Sequence, residues 1–111
     1  MLGAIALAVF LAIVLFLFSI QRAQAFNPYV KGVLSMHGDR VQGHAIFQMN
    51  CAGCHGLQAD GHIGPSLKNI SGRKSKIALI QQVTGGKTPP MPQFQPNSTE
   101  MADLLSYLES L

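Results

Sequence analysis

The stretch Asn50 to Leu67, NCAGCHGLQADGHIGPSL, holds both cysteines of the 111-residue chain, with a histidine directly after the second. Two thiols three residues apart and an adjoining imidazole admit four readings. Zinc is disfavoured: Cys51, Cys54, His55 and His62 could supply four ligands only if two adjacent residues bound one small tetrahedral ion, and there is no second C-x-x-C. A thioredoxin-like redox pair sits in a βαβ setting with a helix beginning at the first thiol, whereas here a helical pattern ends at it. A plain disulfide accounts for the thiols and leaves the histidine as a coincidence. The fourth reading is covalent attachment of haem c, one per chain: each thiol adds across a vinyl group, and the next residue, His55, falls below the iron as proximal ligand. The spacing C-x-x-C-H suits this chemistry because two thioethers and one axial nitrogen must meet one rigid ring.

A sixth ligand is then sought among five methionines. A thioether favours Fe(II) and raises the reduction potential. Met1 lies in the apolar N-terminus and Met36 in a linker. Met49 and Met101 fall on helical patterns at core spacing, where methionine usually fills gaps. Met91 differs. It stands between Pro90 and Pro92, thirty-six residues after His55, in a segment whose φ angles are nearly fixed, so its sulfur loses little entropy on being held over a ring. Met91 is therefore the expected distal ligand. His37, His44 and His62 are weaker rivals, His44 being expected to face solvent.

Outward from the motif, Leu2 to Ile20 contains no charge and only Gly3 and Ser19 as interruptions. Nineteen residues at about 1.5 Å each give nearly 30 Å, the hydrocarbon thickness of a bilayer. Ala23-Gln24-Ala25 fits a signal-peptidase site, but the apolar run is longer than an ordinary signal core and no basic residue precedes it, which favours an uncleaved anchor. Arg22 and Lys31 follow the segment, so the positive-inside rule would hold the remainder in the cytoplasm, against the export that haem attachment implies. The expected organisation is a transmembrane anchor over 1–21, a linker over 22–38 marked by Asn27-Pro28 and Gly32, and one domain over 39–111.

That domain is small enough to need a staple or a large apolar ligand to complete its core. A net charge of +3, without basic runs interleaved with aromatics, gives no ground for a nucleic-acid partner. Lys68, Arg73, Lys74 and Lys76 read as a solvated helix start, with a docking patch for an acidic partner as the alternative. Asp39 is placed to cap a helix through Asn50 whose apolar positions are Val41, Ala45, Ile46 and Met49. A glycine-rich loop, 56–64, follows without strand pattern and without the apolar content to organise itself. Ser71 or Ser75 opens a helix carrying Ile77, Leu79, Ile80 and Val83, ended by Gly85-Gly86. KTPPMPQFQP, 87–96, reads as a stiff extended segment. Asn97 or Ser98 caps a last helix with Met101, Leu104, Leu105, Tyr107 and Leu108 as its apolar stripe. The fold class is all-α.

With these residues in place, the chain after the linker resembles a class I monohaem cytochrome c. Gly43-His44-Ala45-Ile46-Phe47 matches the G-x-x-x-[FY] of that family's first helix, which packs on an aromatic of the last helix, here Tyr107. Gly64-Pro65-Ser66-Leu67 matches its G-P-x-L, and the resemblance implies that the Pro65 carbonyl accepts from the outer N–H of the proximal histidine. Met91-Pro92-Gln93-Phe94 resembles the distal M-P-x-F. The anchor, NPYVKGVL, CAGCHGLQADG, TPPMPQFQP and MADLLSYLESL are similar, more closely, to the membrane-anchored cytochrome M group of cyanobacteria. The resemblance implies a one-electron carrier rather than an enzyme, in photosynthetic or respiratory transport. It implies a single-pass protein at the thylakoid or plasma membrane with haem on the lumenal or periplasmic side, and redox proteins as partners. A regulatory or structural haem subunit of a larger membrane complex is the alternative, and a small haem peroxidase a weaker one, since Met91 would block the open sixth site a peroxidase needs.

Overall fold

The computed structural model describes residues 1–25 and 27–111. Six α-helices and one 3-10 turn make up the fold, with no strand among the described residues. Helix α1, Leu2–Ala25, has no buried residue and is long and apolar enough to cross a membrane. It continues four residues past the expected end of the anchor, so Ala23-Gln24-Ala25 forms part of its last turn.

The segment read as a linker is not free chain. Asn27 accepts the Tyr29 N–H on its side-chain oxygen at 2.9 Å, Pro28 occupies the first helical turn, and α2 runs over Pro28–Leu34. Its Val30 and Val33 are buried in the core, against helix α6, Ser98–Glu109. The Tyr29 hydroxyl donates to the carbonyl of buried Pro96 at 2.9 Å. Burial, with the Glu100 carboxylate adding to it, raises the Tyr29 phenol above its ordinary range and keeps that proton in place. Tyr29→Phe leaves the Pro96 carbonyl without this donor, and a loss of about 1 kcal/mol is expected, read as a fall of roughly 5 °C in Tm.

The centre of the domain is the crossing of α3, Arg40–Asn50, with α6. Asp39 caps α3, accepting from Val41 and Gln42, and its own N–H donates to the Asp103 carboxylate at 2.7 Å. Gly43 lies where the helices touch: a methyl there would collide with the Asp103 carbonyl. Close approach seats Phe47, Met101 and Leu104 with no exposed surface, and the Phe47 ring lies 5.1 Å from that of Tyr107. The expected stripe of α3 needs correction. Val41, Ala45 and Met49 are exposed, Ile46 is half-buried, and the buried positions are Gly43 and Phe47. The apolar residues suggested one face, but the need for backbone contact with α6 selected the glycine's face. Met101 fills the core as expected, while Met49 does not.

Helix α4, Ala52–His55, is a single turn. A 3-10 turn spans Ile70–Gly72 and includes Ser71, so it is Ser75 that caps α5, Lys76–Gly85, by accepting from Ala78. Gly86 ends α5 in the left-handed conformation, φ +61°. Asn97 and Glu100 form a reciprocal capping box at α6.

Candidate haem site

Cys51 closes α3 and opens α4. The N–H groups of Cys54 and His55 both donate to its carbonyl, at 3.2 and 3.0 Å, so one turn of backbone presents both sulfurs and the imidazole. Gly56, at φ +89°, then turns the chain sharply away. The following loop folds back by its own backbone. Gly61 N–H donates to the His55 carbonyl at 2.8 Å, Gly64 N–H to that of Cys54 at 2.6 Å, and Leu67 N–H to that of buried Ala59 at 2.9 Å. The low apolar content implies that something other than the loop's own packing organises it, and these backbone bonds supply much of that order. Arg73 adds a clamp from outside, donating to the carbonyls of Ser66 and Lys68 at 3.3 and 3.0 Å. It is therefore not simply a solvated charge.

His55 Nδ1 lies 2.8 Å from the Pro65 carbonyl. A carbonyl only accepts, so Nδ1 carries a proton, and Nε2 is the ring nitrogen left to bind a metal. Gly64 makes room for this bond: a methyl there would press on the ring within 2.9 Å of Cε1. The two thiols are free. Burial, with Cys54 adding to it, pushes the Cys51 thiol up to about 11. The same burial that raises it favours the neutral thiol over the thiolate while no ligand is bound. Among the described residues no three His, Cys, Asp or Glu side chains converge on a common metal position. The donor set thus fits haem c: two thiols on one turn, and one imidazole whose Nδ1 is already engaged.

Met91 lies half-buried against the core, in a chain that turns rather than running fully extended. Its N–H donates to the Thr88 carbonyl at 3.0 Å, while the stretch after it is irregular and tied to α5. Phe94 N–H donates to the Val83 carbonyl at 3.0 Å, and Gln93 Nε2 to that of Thr84 at 2.9 Å. Gln82 of α5 donates to Thr88 Oγ1 at 2.6 Å and reaches Met91 Sδ at 3.5 Å. No sequence signal singles out Gln82, because its contact with Met91 depends on how the proline segment returns over α5. His44 is exposed, as expected, with its ring stacked 4.9 Å from Tyr107 and Nε2 3.0 Å from the Gln48 side chain.

A family model described as cytochrome c oxidase, cbb3-type, subunit III matches residues 38–108. A cytochrome c-553-like protein of Synechocystis sp. is 56% identical over 111 residues, all of both chains. The chain belongs to the class I cytochrome c family. A cytochrome c6 of Diacronema lutheri is 34% identical over 83 residues, 66% of this cytochrome and 96% of that protein. A cytochrome c-551 of Bacillus subtilis is 27% identical over 67 residues, 60% and 59% of the two chains. The family description names an oxidase subunit, and what this cytochrome shares with that family is the domain from α3 to α6. The full-length match carries the resemblance to the cytochrome M group through α1, α2 and domain alike. The cofactor of this cytochrome is haem c, attached by thioethers at Cys51 and Cys54.

Proposed function

We propose that the chain is a membrane-anchored one-electron carrier of photosynthetic or respiratory transport, with His55 and Met91 as axial ligands and α1 as an uncleaved span. Its domain lies on the lumenal or periplasmic side of a thylakoid or plasma membrane, and donor and acceptor are redox proteins that α1 brings within a thin layer of the surface. The observation that carries the reading is the bond from His55 Nδ1 to the Pro65 carbonyl, which engages one ring nitrogen and leaves Nε2 as the one available to iron. The haem iron, when bound, supplies the Fe(III)/Fe(II) couple. The protein holds the ligands still so that little reorganisation accompanies transfer: His55 is held through Pro65 and Gly64, and Met91 through the ties to Thr88, Val83 and Thr84.

An optical spectrum of the membrane-extracted protein tests the ligand pair. The oxidised form should show the weak red-edge sulfur-to-iron band, and Met91→Ala should abolish it while haem stays covalently bound. A band that survives in Met91→Ala rules Met91 out.

Gln82 tunes the same sulfur. A donor shared with Sδ draws electron density from it and favours Fe(II). Gln82→Leu should lower the midpoint potential by about 40 mV, the equivalent for one electron of a hydrogen bond of about 1 kcal/mol. Voltammetry of the variant checks this.

A further inference from the structure

Beside the root of α1 lies a hollow of about 360 Å3 whose lining includes Gln24, Lys74, Gln81, Thr84 and Lys87. It shares Gln24, Gln81 and Thr84 with a second hollow of about 690 Å3 that extends along the body of the domain to Tyr29 and Asn97. Together they form one trough under the end of the apolar helix. Neither ammonium has a carboxylate within ion-pair distance, and the one ion pair among the described residues, Lys76 with Glu109, involves neither. No Asp or Glu lines either hollow. Glu100 acts only at the far end, where it raises the Tyr29 phenol. The carbonyl of Gln24, which would otherwise repel an anion, is already paired with the Asn27 N–H at 3.2 Å.

Depth identifies the occupant. If the hydrocarbon ends near Ile20, Gln24 stands four residues, or about 6 Å, beyond it. The polar layer on each face of a bilayer is about 5 to 7 Å thick. Arg22 is consistent with this boundary, its guanidinium lying over the Phe18 ring at 4.9 Å in the manner of a side chain at the interface. The trough therefore opens at headgroup level, with two unpaired ammonium groups for charge and the side-chain amides of Gln24 and Gln81 as donors for oxygen atoms, the Thr84 hydroxyl being already given to the Ile80 carbonyl at 2.7 Å.

We propose that this trough binds the phosphate of an anionic lipid headgroup, so that the domain is fixed against the membrane at α5 as well as at α1. The proposal rests on α1 being an uncleaved anchor. With the domain held at two points on its membrane side, the orientation of α4 and its haem to the surface is set by the lipid.

The test uses the full-length holoprotein in vesicles of phosphatidylcholine with or without phosphatidylglycerol, and reads flotation and amide hydrogen exchange over residues 74–87. Phosphatidylglycerol should slow exchange there by roughly tenfold. Lys74→Gln with Lys87→Gln should abolish the slowing, while Arg40→Gln with Lys68→Gln, equal in charge and outside the trough, should leave it. Equal loss in both double variants, or equal exchange in the two lipids, overturns the headgroup site while flotation persists. Equal slowing by orthophosphate over pure phosphatidylcholine overturns it too, assigning the trough to a soluble anion. Failure to float with either lipid overturns the anchor, and the headgroup site with it.

Discussion

Gly43→Ala should destabilise the holoprotein by about 3 kcal/mol, more than an added methyl usually costs in a core. A side chain in the way can often rotate aside, but here the added carbon meets the Asp103 carbonyl and the Leu104 N–H, which belong to the backbone of α6. Relief requires the two helices to part. Phe47, Met101 and Leu104, now fully buried, would then lose contacts together, and the Asp39 N–H would draw away from the Asp103 carboxylate. In a domain of this size the expected fall in Tm is roughly 15 °C. Gly32→Ala is the matched control: the nearest atom to its new carbon is the Ser98 hydroxyl, at 3.4 Å on a side chain that can turn, and alanine is the better helix former. It should be neutral or slightly stabilising. Equal thermal shifts in the two variants would mean that α3 and α6 do not depend on backbone contact at Gly43.

The same crossing separates what was legible in the sequence from what was not. The caps at Asp39, Ser75 and Asn97 were readable because each involves a side chain and amides two or three residues on. C-x-x-C-H was readable for the same reason, its geometry being closed within one turn. The buried face of α3 was not, since it is chosen by α6, some sixty residues later, and apolar periodicity pointed to Val41 and Met49 instead. Helix α2 had local signals, an Asn cap followed by proline, but Asn-Pro and Gly32 also mark loops, and the burial of Val30 and Val33 decides between the two. The loop after His55 looked unsupported because backbone hydrogen bonds leave little trace in residue type. Arg73 and Gln82 act on groups that only the folded chain brings near them.

The largest functional effect is expected at Met91. Met91→His should lower the midpoint potential by on the order of 200 mV, because an imidazole replaces a soft thioether that favours Fe(II), and axial ligands set haem potentials over a wide range. The size of the effect depends on the strap. Its prolines restrict φ, the Thr88 carbonyl closes a turn onto the Met91 N–H, and the Val83 and Thr84 carbonyls hold the chain to α5, so residue 91 keeps its position when its side chain changes. A mobile strap would let another donor or water take the place over the ring, and the potential would then vary with pH and buffer. A held strap gives one new couple with a reversible wave. The measurement is therefore voltammetry of wild type and Met91→His at several pH values, together with the red-edge band. A shifted, single wave without the band establishes residue 91 as the sixth ligand on a rigid support. An unchanged potential with the band intact would leave His55 as the ligand to keep, and send the search for its partner to the other methionines.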